Sequence, residues 1–85
     1  MTSNPSHEAE IQRLMRLPYH RLISGEPREG YLGEVVELSG CLTAGATPQE
    51  AVANLDEAMA AWFEAALLTG MQIPQPLPDP VRLTA

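Results

Sequence analysis

The chain has 85 residues, 45% of them hydrophobic and 19% charged, and carries a net charge of −6. That length holds one domain with a core barely large enough to fold alone, and the composition excludes a disordered chain. Residues 1–30 balance to zero charge, whereas residues 31–85 set Arg82 alone against seven acids with no lysine anywhere, which excludes a basic grip on nucleic acid by the larger part of the chain.

Asn4 and Pro5 read as an N-cap and a first-turn proline, and Ile11, Leu14 and Met15 recur at helical spacing. They predict a short helix over residues 5–15, ended by Pro18. Residues 19–24 (YHRLIS) read as a strand and residues 25–30 (GEPREG) as a hairpin loop. Residues 31–38 (YLGEVVEL) alternate as a second strand, half buried on each face: Leu32, Glu34, Val36 and Leu38 share one side, and Tyr31, Gly33 and Val35 the other. A turn at Ser39 and Gly40 returns residues 41–45 as a third strand.

The strongest local signal is Thr47-Pro48-Gln49-Glu50. The threonine hydroxyl can accept from the Glu50 N–H while the Glu50 side chain reaches back to the Thr47 N–H, a capping box with proline at the first helical position. An alanine-rich helix then runs to Gly70, a left-handed cap, and at about 1.5 Å per residue spans roughly 33 Å. Val52, Leu55, Met59, Trp62 and Ala66 form the stripe expected to pack on the sheet. Ala60, Ala61, Phe63, Leu67 and Leu68 widen the apolar arc beyond one sheet face, so either the N-terminal helix or a partner must cover it. Pro74, Pro76, Pro78 and Pro80 impose extended geometry on the tail, and residues 81–84 suit a fourth, edge strand. The fold expected is α+β: a three-stranded antiparallel sheet packed by one long helix (β-β-β-α), with residues 1–16 as an N-terminal helical extension and 17–85 as the domain.

Groups able to do chemistry are few. His7, His20 and Cys41 sit in different elements without metal-ligand spacing. Glu34 and Glu37, three apart on one strand, point to opposite faces, and Glu57 and Glu64 lie two helical turns apart, roughly 10 Å. Cys41 reads as a small buried residue, not a nucleophile. No catalytic residue, metal or cofactor is expected. One cysteine, no signal-peptide pattern and no apolar run near the ~18 residues of a membrane span predict a cytoplasmic protein. A domain this small is often completed by self-association, so a homo-oligomer, dimer or tetramer, is expected.

Residues 30–76 resemble the HicB-type antitoxin family. The pattern stands here as Gly30-Tyr31, Glu34-Val35, Glu37-Leu38, Gly40-Cys41, Gly45, Thr47, Glu50-Ala51, Asn54, Glu57-Ala58, Trp62 and Ile73-Pro74-Gln75-Pro76, and residues 19–27 fit the family's first strand. The resemblance implies a partial RNase H-like arrangement and a type II toxin-antitoxin role: direct binding to a small basic RNA-cleaving toxin of the HicA type. The acidic residues 31–85 suit such a partner. Asp56, Glu57, Ala60, Phe63, Glu64 and Leu67 on the long helix are the expected contact residues. Many family members carry a C-terminal DNA-binding module; none is expected here, so direct nucleic-acid binding is not expected either. The alternatives are a stand-alone homo-oligomeric domain without a toxin, and a metal-dependent RNase H-like nuclease, against which stands the lack of any acid in residues 19–24.

Overall fold

A computed structural model of the chain describes residues 5–78. Helix α1 (Pro5–Met15) is followed by strands β1 (Arg21–Glu26), β2 (Gly30–Val35) and β3 (Leu42–Gly45), then by helix α2 (Pro48–Thr69). The strands form one antiparallel sheet in the order β1-β2-β3, with Leu22 opposite Glu34 and Glu34 opposite Leu42. This is the expected α+β architecture. Asn4, expected to cap α1, and the edge strand expected at residues 81–84 lie outside the described residues.

Strand boundaries differ from expectation by one to three residues, and the second strand differs in kind. It stops at Val35, where the chain enters a turn held by Leu38 N–H donating to Val35 O and Cys41 N–H donating to Leu38 O. The turn breaks the alternation, so Leu38 swings into the core at 1% exposure while Leu32, Glu34 and Val36 stay exposed. The sheet is therefore covered on one face and open on the other, not half buried on both.

The covered face meets α2 at close range. A methyl group built on Gly45 would lie 2.5 Å from the Ala51 nitrogen, so only glycine lets the first turn of the helix rest on β3. Ala51 is itself fully buried there. Asn54 Nδ2 donates to Ala44 O at 2.8 Å, a second tie between helix and strand. The helix begins as expected, with the Thr47 hydroxyl accepting from Glu50 N–H at 3.0 Å. The return bond goes elsewhere: the Glu50 carboxylate accepts from the N–H of Ala46, one residue before Thr47. Gly70, in the left-handed conformation, ends the helix, and Met71 N–H donates to Ala66 O.

The core joins Ile11, Leu14, Tyr19, Val35, Leu38, Cys41, Leu55, Met59 and Phe63. Its helical stripe is Ala51, Leu55, Met59, Phe63 and Ala66, displaced by one position at two sites from the stripe expected. Val52 is exposed, and Trp62 is half buried beside the core with Nε1–H donating to Ser39 O at 2.9 Å. Phe63 takes the central place, 5.6 Å from the Tyr19 ring and edge-on to Trp62 at 6.0 Å. An indole carries a polar N–H that must find a partner, and the rim offers one. Helix α1 buries Ile11 and Leu14 against this layer, and of the surplus apolar arc of α2 Phe63 is buried and Ala60 and Leu67 are partly buried, while Ala61 and Leu68 stay exposed.

Candidate functional site

Of the six contact residues expected on α2, the structure leaves two acids free to meet a partner. Phe63 is fully buried, which corrects its assignment to a binding surface; Ala60 and Leu67 are partly buried against the core. Asp56 accepts from Arg21 Nη2 at 3.0 Å, a half-exposed pair bridging α2 to β1. Glu57 is exposed and Glu64 half exposed, and with Glu50 they repeat every seven residues along the solvent side of the helix. The surface is therefore a solvated acidic stripe, not an acidic rim around an apolar centre.

The remaining motif residues are placed by structural duties. Gly30 and Tyr31 open β2, Gly40 sits in the turn before β3, Cys41 is 3% exposed, and Ala58 packs half buried beside the core. Burial raises the Cys41 thiol pKa, with Arg21 opposing, as expected of a packed thiol and not of a nucleophile. Pro74 gives its carbonyl to the Tyr19 hydroxyl at 2.6 Å, and Pro76 lies half buried just before Leu77.

Sequence reasoning missed Glu37. Its side chain is 1% exposed, and it joins three segments. Oε1 accepts from the His20 backbone N–H at 2.9 Å, while Oε2 accepts from His20 Nδ1–H at 2.6 Å and from Leu77 N–H at 2.9 Å. Burial alone would raise the pKa of this carboxyl, but the Leu77 N–H, the His20 ring and the His20 N–H together bring it down to about 2. The same burial, with the Glu37 charge close by, raises the Tyr19 pKa. Continued alternation would set Glu37 on the face of Val35; after the turn at Val35 its carboxylate meets His20 and Leu77. The one legible signal was an acid between two core residues, Val35 and Leu38.

Among the described residues no three His, Cys, Asp or Glu side chains converge so as to hold a metal ion. No described helix is long and apolar enough to cross a membrane. A model of the HicB_like antitoxin of bacterial toxin-antitoxin system matches residues 19–81, close to three-quarters of the chain. The chain belongs to the HicB-like antitoxin family. No curated protein and no solved structure matches it. In this HicB-like fold the match begins at Tyr19, the first residue of the Tyr19–Pro74 tie, and leaves α1 outside it.

Proposed function

We propose that the chain neutralises a small basic RNA-cleaving toxin of the HicA type by binding it directly, as a non-enzymatic module in the cytoplasm. The observation that carries this reading is the antitoxin family match over residues 19–81. Surface charge supports it: net charge is −6, and Glu34, Glu50, Asp56 and Glu57 are all exposed. A basic partner is drawn to such a surface and held in register by it. We read the three strands and crossing helix as a partial RNase H-like domain spanning residues 17–85, with residues 1–16 as an added helical segment that completes the core through Ile11 and Leu14.

The test is co-expression with the small basic protein encoded beside the gene, followed by size-exclusion chromatography and an RNA-cleavage assay. Co-elution and loss of cleavage are expected. A HicA-type neighbour that elutes separately and cleaves RNA undiminished would overturn the reading. A second reading, a self-associating domain without a toxin, is favoured by the apolar residues on the open face of the sheet. It predicts a dimer or tetramer and no basic reading frame beside the gene.

A further inference from the structure

The open face of the sheet is apolar where a solvated face should be polar. Leu22 and Leu42 flank Glu34 in one cross-strand row, and Leu32 stands in the next row between Ser24 and Ala44. The three leucines are 55%, 62% and 62% exposed, and Val36 beyond them is 48% exposed. Scattered exposed leucines are ordinary, but contiguous ones on adjacent strands mark an interaction surface. No described element covers this face, since both helices pack on the other side.

Charge decides what fits it. The face carries Glu34 at its centre, and towards the hairpin a hollow of about 470 Å³ is lined by Leu32, Glu26 and Glu29 among others. A lining that joins a leucine with two acids suits the stem and head of a lysine or arginine. The nearest cation of β1, Arg21, is turned to the helix side and paired with Asp56; the one cation of the hairpin, Arg28, lines a neighbouring hollow with Glu29, Leu32 and Ala44. A second copy of the chain laid face to face would set Glu34 and the acidic hairpin against their own kind. A basic partner instead meets these acids with cations.

We propose that the open sheet face is where the basic toxin docks, seating apolar side chains on Leu22, Leu32 and Leu42 and an arginine or lysine at Glu34 and the Glu26–Glu29 hollow. This rests on the antitoxin reading and names its surface. The experiment compares wild type with Leu32→Ser, Leu42→Ser and Glu34→Arg, and with Ala65→Arg, exposed on α2, each titrated with the purified toxin by calorimetry. All four side chains are exposed, and circular dichroism confirms that the variants stay folded. The sheet variants are expected to weaken binding by tenfold or more, and Ala65→Arg by less than threefold. Wild-type affinity in all three sheet variants, with wild type still binding toxin, overturns the docking face and leaves the antitoxin reading standing. No binding by wild type overturns both. A toxin-free dimer by light scattering that Leu32→Ser and Leu42→Ser dissociate also overturns it, because the face then belongs to a second copy.

Discussion

Glu37→Gln puts the tail's anchorage to a quantitative test. A glutamine at this site keeps one acceptor oxygen and turns an NH₂ group towards N–H donors that the carboxylate now satisfies. The fall of the Glu37 pKa from 4.5 to about 2, at 1.36 kcal/mol per unit, corresponds to roughly 3 kcal/mol of native-state stabilisation. Loss of one or two hydrogen bonds to a charged group, at about 1.5–3 kcal/mol each, gives the same size of effect. For a domain with a urea m-value near ~1 kcal/mol/M, the midpoint should fall by about 2–3 M at pH 7. The sign in pH follows from the direction of the shift. A depressed carboxyl stabilises the fold above its unfolded pKa, and that contribution is lost as pH falls from 4.5 towards about 2. Wild type should therefore lose stability steeply across that window, Glu37→Gln should lose less, and the two curves should converge at its acid end. Urea titrations monitored by Trp62 fluorescence at several pH values provide the measurement. A midpoint within about 0.5 M of wild type at pH 7, with parallel acid limbs, would refute the assignment of Glu37 as the anchor.

Three further outcomes follow from packing. Phe63→Ala should lower stability by about 3–5 kcal/mol, whereas Trp62→Ala, which empties only a half-buried site and one hydrogen bond, should cost about 1–3 kcal/mol; thermal melts that reverse this order would show that the core is centred on the indole after all. Gly45→Ala drives a methyl into the Ala51 backbone and should destabilise by about 2 kcal/mol or more, read as a melting temperature lowered by roughly 10 °C, and a variant melting with wild type would deny the close approach of helix and strand. Thr47→Ala removes the cap acceptor of Glu50 N–H and should cost about 1 kcal/mol, with Thr47→Ser restoring most of it.

Local chemistry made the long helix legible. Its start, proline, cap and C-terminal glycine depend on neighbours within four residues, and the sequence carries all of them. The three strands and α1 were legible for the same reason. The stripe was less so: Val52 and Ala51, like Trp62 and Phe63, are adjacent apolar pairs, and only the sheet's position relative to the helix decides which member faces in. The indole lost that contest because Ser39 O at the rim satisfies its N–H. The open sheet face was misread because strict alternation was extended past Val35, beyond the point where the chain turns. Glu37 was illegible because its partners, His20 and Leu77, lie 17 and 40 residues away and meet only in the folded chain.

The ties between Tyr19 and Pro74 and between Glu37 and Leu77 close loops of 55 and 40 residues. The β1–β2 hairpin closes over three residues, 27–29. Loop entropy grows with the logarithm of length, which sets about 3.5 kcal/mol for closing the longest loop against about 1 kcal/mol for the hairpin. From the unfolded chain, loop entropy therefore favours closing the hairpin before either tie of the proline-rich tail. The same ordering governs release. The tail is the first segment to let go, and its departure strips Glu37 of one donor and uncovers Tyr19 while the sheet and α2 still hold.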